Sequence, residues 1–236
     1  MIHFEGLPGD LDEATREALL APTVLLDFTH PAVQAFVDSA GGRQGSVIER
    51  AVALFYAARD RVRYDPYRIS ADPVDYRASS VAQAGYGWCV SKASLLAACA
   101  RAVGIPAAIG LADVANHLNT EKLRARMGGT DVFYDHGYVA MLLEGRWVKA
   151  VPAFNIELCE RFGVSPTEFD GRGDALYQEY NAQGELHMSY LADHGCWSDL
   201  PLDKVFGDFA RHYPSAMLGP PAAIDGARFE DERPLG

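Results

Sequence analysis

Gly85-Tyr86-Gly87-Trp88-Cys89, continued by Val90-Ser91-Lys92-Ala93-Ser94-Leu95-Leu96-Ala97-Ala98-Cys99, decides the reading of this chain. Two glycines just before a cysteine permit backbone angles that a side chain would forbid, and so an abrupt entry into a helix. The apolar spacing predicts an amphipathic helix from Cys89 to about Val103, stopped by Gly104 and Pro106. The Cys89 thiol then lies at a helix N-terminus, where unpaired N–H groups and the positive end of the dipole favour thiolate. The Cys89 amide is free there to help hold an oxyanion. Cys99, ten residues along the same helix among Leu95, Leu96 and Val103, reads as a core thiol.

Upstream of this turn the chain reads as helical. Short helices are predicted over 11–20 and from Pro31 to Ser39, with proline tolerated in the first turn. Ser46 and Glu49 form a capping-box pattern before Ile48, Val52, Phe55 and Tyr56, the apolar face of a helix reaching about Val62. Tyr64 to Ala82, rich in Pro, Asp, Ser and Tyr, reads as a long surface loop leading to the cysteine.

Downstream the chain turns to strands. An apolar strand is expected over Ala107 to Ala112 and a helix from about Asn116 to Met127. Val132 to Leu143, the turn Glu144-Gly145, and Arg146 to Val151 form the best hairpin signal, closed by Pro152. A helix over Ile156 to Phe162, a strand over Leu186 to Leu191 and a helix over Pro201 to Tyr213 follow, then a tail expected to be loosely held from about 214. Helices first and an antiparallel sheet afterwards predict an α+β layer arrangement, one domain spanning 1–236.

A nucleophilic thiol requires a base. His136, following Tyr134-Asp135 in the first hairpin strand, is anchored on a rigid element and is the candidate proton carrier. Gly87-Trp88-Cys89, Ser91 to Leu96, Arg101-Ala102-Val103-Gly104-Ile105-Pro106-Ala107, the strand histidine and Gly145-Arg146-Trp147-Val148 together resemble the core of the transglutaminase-like superfamily, over roughly residues 51–154. The resemblance implies a transglutaminase-like (papain-like) α+β fold with the catalytic helix packed on the sheet. It also implies attack of Cys89 on a carboxamide or peptide carbonyl, with His136 moving protons and an aspartate on the neighbouring strand orienting it.

That aspartate is missing. Val151 before Pro152 stands where the family has Asp before a proline, and valine cannot orient an imidazole. Asn155 shares the strand parity of Val151 and ranks first as substitute, although four residues of strand are roughly 13 Å and the chain would have to fold back at Pro152. Asp170 and Asp135 are the other options, Asp135 being expected on the opposite strand face from His136. Gln83, six residues before Cys89 as in papain-like enzymes, is the candidate oxyanion donor.

Bulk properties narrow the partners. With 32 acidic against 21 basic residues the net charge is -11, which argues against nucleic acid and anionic lipid. No apolar stretch approaches the roughly 20 residues of a membrane span, and no secretory signal is read at the start, so a cytoplasmic location is expected. The cysteines at 89, 99, 159 and 196 form no C-x-x-C pair, and His117, His187, His194 and Cys196 lack the spacing of a zinc motif. No metal or cofactor is expected. The predicted substrate is a peptide, protein or small amide, cleaved or transferred through a thioester, with a non-catalytic binding module that has lost the triad acid as the alternative.

Overall fold

The structure, a computed structural model, describes residues 1–117, 119–176, 188–218 and 228–234. After a two-residue strand, β1 (His3–Phe4), come three helices: α1 (Glu13–Ala18), α2 (Pro31–Ser39) and α3 (Val47–Asp60). The capping box closes α3: Ser46 N–H donates to Glu49 Oε2 at 2.7 Å, and Glu49 N–H to Ser46 Oγ at 3.3 Å. The buried face of α3 is rotated from the one expected, centring on Ala51, Leu54, Phe55 and Ala58. Ile48 and Val52 are half-buried instead, because the chain at Gly171 passes over them.

The stretch Tyr64 to Ala82 is not a loop. It holds β2 (Arg63–Tyr64), single 3-10 turns at Pro66–Arg68 and Pro73–Tyr76, and α4 (Ala78–Ala84). Asp65 and Asp72 each precede a proline, and their carboxylates accept the N–H of Tyr67 and Val74 at 3.1 and 2.9 Å. Residues that read as breakers therefore start turns. Tyr67 and Tyr76, both buried, then anchor these turns to the core.

β3 (Tyr86–Gly87) pairs in parallel with β2 and leads into α5 (Cys89–Ala102). Every residue of α5 from Cys89 to Arg101 is buried, so the helix is central rather than amphipathic. Its many alanines and serines let α2, α3 and α4 pack on one side and the sheet on the other. Lys92 carries no exposed surface, and its ammonium donates to the carbonyls of Arg59 (2.8 Å), Val62 and Ala153 (2.7 Å). Burial pushes its pKa down to about 7, against which stand three acceptors that use all three ammonium protons.

The sheet consists of β1, β4 (Ala107–Asn116), β5 (Val132–Leu143), β6 (Arg146–Ala150) and β7 (Met188–Trp197), with α6 (Glu121–Arg126) between β4 and β5 and α7 (Ile156–Phe162) after β6. Its order is β1-β7-β4-β5-β6, with every neighbouring pair antiparallel. β4 runs on to Asn116 because β5 and β7 pair with it on both sides, and the helix expected from 116 begins only after the Thr120 cap. The last helix, α8 (Leu202–His212), returns to the sheet beside β5. The α+β arrangement is thus as the sequence predicted.

Part of the tail beyond 214 packs on the core. Phe229 is buried against Tyr64, Tyr67 and Phe162, and Glu232 receives hydrogen bonds from Tyr67 Oη at 2.8 Å and Thr120 Oγ1 at 2.6 Å. Aromatic packing and a shared carboxylate hold this segment. Residues 219–227, and the expected strand residues 186–187 with His187, lie outside the described residues.

Candidate active site

Cys89 is the first residue of α5, and each glycine before it has a distinct task. Gly85 ends α4 in the left-handed conformation at φ 67°. Gly87 is needed for close approach, since a Cβ there would lie 2.7 Å from Ser91 Oγ and 3.2 Å from Lys92 Cγ. Ser91 Oγ in turn accepts the Trp88 N–H at 3.0 Å and secures the helix start.

Strand β5 meets this helix end at Gly137. A Cβ on Gly137 would stand 2.8 Å from Val90 Cα and 3.1 Å from the Cys89 carbonyl oxygen, so only glycine lets the two backbones touch. Burial pushes the Cys89 thiol up to about 12. The N–H groups of Gly137, Val90 and Cys89 pull in the other direction, while the charge of Asp135 adds to the rise. The helix-end stabilisation of thiolate expected from sequence is therefore present but outweighed, because the residue is only 2% exposed.

His136 precedes Gly137 directly and pairs across the ladder with Ala112 of β4. It is buried, and desolvation pushes its pKa down to about 3, which leaves a neutral imidazole. A neutral imidazole can accept a proton, but a pKa this far below 7 makes it a weak base in the closed site. The family model described as "Transglutaminase-like superfamily" matches residues 34–152, half of the chain. The chain belongs to this superfamily.

Among solved structures, this superfamily member is similar to a candidate cysteine protease from Cytophaga hutchinsonii, with 17% identity and a TM-score of 0.46 over 80% of this chain and 55% of that one. It is also similar to the periplasmic domain of TgpA from Pseudomonas aeruginosa, with 21% identity and a TM-score of 0.41 over 61% of this chain and 48% of that one. The chain spans about half the length of both structures. No curated protein matches it.

At the position where the resemblance calls for an orienting acid, Val151 is buried and its N–H donates to the Ala175 carbonyl at 2.9 Å. Asn155, ranked first as substitute for that acid, has its amide engaged by other partners: Oδ1 accepts the Tyr64 N–H at 3.0 Å and Nδ2 donates to Glu157 at 2.8 Å. The amide ties β2 to the start of α7, where Pro152 has turned the chain out of β6. Asp170 sits in an exposed turn, its carboxylate held below its usual range by the N–H groups of Arg172 and Gly173. Gln83 is exposed on α4 rather than in a loop over the cysteine.

Asp135 occupies a bulge opposite Asp113, at φ 54° and with no exposed surface. Its N–H donates to Asp113 Oδ1 at 3.1 Å, and that oxygen lies 2.9 Å from His194 Nε2. Asp113, Asp135 and His194 bring one ligand atom each within 4.8 Å of one another. The ammonium of Lys204, from α8, is bonded to Asp135 there and to Asp208 at 2.8 Å. A resident ammonium supplies the positive charge, so the cluster is a salt-bridge network. His117 meets Ser189 Oγ at 3.1 Å and Cys196 lies 3.5 Å from Tyr138 Oη, so neither joins it.

Sequence reasoning missed the cover of the site. Phe209 of α8 packs on Trp88 with ring centroids 5.5 Å apart, and Phe206 packs on Tyr76 at 5.5 Å. The apolar spacing of α8 signals that one face is buried but not what that face touches.

Proposed function

We propose that this protein is a cysteine-dependent enzyme acting on an amide or peptide carbonyl, with Cys89 as nucleophile and His136 as proton carrier. What supports the reading is the meeting of the α5 start with β5, where the Gly137 N–H reaches the Cys89 thiol and the residue before Gly137 on the strand is the neutral His136. His136 takes the thiol proton as sulfur bonds to the carbonyl carbon. The Cys89 amide contributes to holding the oxyanion. On collapse the C–N bond breaks, the imidazolium gives its proton to the leaving amine, and a thioester remains. Water, deprotonated by His136, adds to the thioester, the C–S bond breaks to release the acid, and the imidazolium returns its proton to the Cys89 sulfur. Hydrolysis is the proposed outcome, on a peptide, protein or small amide.

Acid-quenched turnover of a panel of peptide and primary-amide substrates, followed by mass mapping, tests this. The expected result is an acyl group on the Cys89 peptide, with turnover lost in Cys89→Ala and lowered about 10²- to 10⁴-fold in His136→Ala. Turnover that survives Cys89→Ala overturns it. Added primary amine should leave the product an acid, whereas an amide product would mean acyl transfer. The buried valine at 151 favours a second reading, a binding module without turnover, for which ligand binding without any acyl adduct would be the signature.

A further inference from the structure

We propose that α8, together with Tyr213, is a displaceable lid over Cys89, and that substrate reaches the thiol only when this helix lifts. The part concerning substrate rests on the activity proposed above, whereas the lid itself does not.

The thiol is closed in by two kinds of neighbour. On one side α5 is buried all round by α2, α3, α4 and the sheet, so no route opens there without unfolding the core. On the other side Phe209 of α8 packs on Trp88, the residue before the thiol, and Tyr213 just past α8 is close enough for the Cys89 charge to act on it. The α8 helix has eleven residues, and its buried side chains are Leu202, Val205 and Phe209. A helix this short is marginal by itself, and Gly207 in its middle weakens it further. Side-chain contacts hold it in place.

Those contacts divide into a tether before the helix and a latch at its end, after which the chain is buried again at Met217. Before Pro201 the chain is tied down: Arg101 donates to the Ser198 carbonyl at 2.7 Å, Ser198 N–H to Ile2 at 2.9 Å, and Thr23 Oγ1 to Asp199 at 2.8 Å. At the far end Tyr213 Oη accepts the Tyr134 N–H at 2.8 Å and donates to the Val132 carbonyl at 2.9 Å, while His212 stacks on Tyr134 at 3.9 Å. The exposed side of that stack and the Lys204 contact to Asp135 are both within reach of water. The geometry is that of a helix tethered at both ends, before Pro201 and at the buried Met217, and latched between them by Tyr213 and Lys204.

The closed position also carries penalties that opening relieves. Asp135 is fully buried with Oδ2 unpartnered among the described residues, and sits at positive φ. Cys89 is held protonated by the same burial. Lifting α8 hydrates both groups and exposes the thiol to the helix-end N–H groups in a wetter setting, where thiolate forms more readily. Lys204 keeps a partner throughout, because Asp208 travels on the same helix.

The test is iodoacetamide labelling of the intact chain across a urea series, followed by peptide mapping. Cys99, with no exposed surface in the middle of α5, reports unfolding of the core. The lid predicts that Cys89 labels in native buffer at least about a hundredfold faster than Cys99, with a shallow urea dependence, since local opening costs less than global unfolding. Tyr213→Phe, which removes both latch hydrogen bonds, and Lys204→Met should each raise the Cys89 rate about tenfold. Because those bonds are lost in the unfolded chain too, the Cys99 rate should rise by no more than the same factor and stay far below that of Cys89. Equal rates and equally steep urea dependence for the two cysteines in the unaltered protein overturn the lid, because access would then require global unfolding. Fast Cys89 labelling that neither substitution alters also overturns it. Lid-gated labelling with no turnover of any amide overturns the proposed activity and leaves the lid standing.

Discussion

Gly137 and Val90 touch through backbone alone, and a Cβ on Gly137 would lie 2.8 Å from Val90 Cα. No side chain can flex to relieve that contact. The strand and the helix start would have to separate, and the Gly137 N–H would leave the Cys89 thiol.

Gly137→Ala should therefore lower stability by about 1–3 kcal/mol, the usual cost of overpacking, and reduce turnover by more than the fraction unfolded explains. Urea midpoints and steady-state rates on the same preparation check both parts. An unchanged midpoint would show the contact to be looser than 2.8 Å implies.

His136 supplies a pH prediction. Its folded pKa, near 3, lies below the unfolded value of about 6.5, so from about 6.5 downward the unfolded chain binds a proton that the folded one refuses. The contribution is complete above pH 6.5 and is lost at about 1.4 kcal/mol per pH unit as pH falls toward 3. Urea unfolding of the protein and of His136→Asn across pH 4 to 8 isolates the slope, which should be absent from the difference only if the imidazole is hydrated.

Lys92 binds three main-chain carbonyls from three different segments. Lys92→Met fills similar volume but orphans them, at about 1–3 kcal/mol for each group left unsatisfied. A loss of at least about 3 kcal/mol in denaturant unfolding is expected. A loss under about 1 kcal/mol would mean that water or a neighbour replaces the ammonium.

Phe229 lies buried against three aromatic rings. Phe229→Ala should cost about 3–5 kcal/mol, as for other buried phenylalanines, with an earlier thermal midpoint as the readout. A neutral result would return this segment to the status of a loose tail.

Elements whose signals are local can be read from the residues alone. The Ser46–Glu49 box, the glycine entry to α5 and the hairpin from Val132 all stand where the sequence puts them, because caps and turns are settled by residues a few positions apart. The family motifs around Cys89 and His136 were legible for the same reason. Tyr64 to Ala82 reads as a loop because its Asp-Pro pairs form ordered turns only once Tyr67 and Tyr76 find the core. Which groups would receive the amide of Asn155 was equally invisible, since the Tyr64 N–H is brought to it by the folding of two distant segments.

Tertiary structure alone decided the state of the thiol. A helix N-terminus favours thiolate, and the sequence shows the helix; the burial that overrides it is made by packing from distant segments, β5 at Gly137 and Phe209 on the adjoining Trp88 among them. Burial depends on what packs on a residue, and no periodicity within a segment encodes its partner.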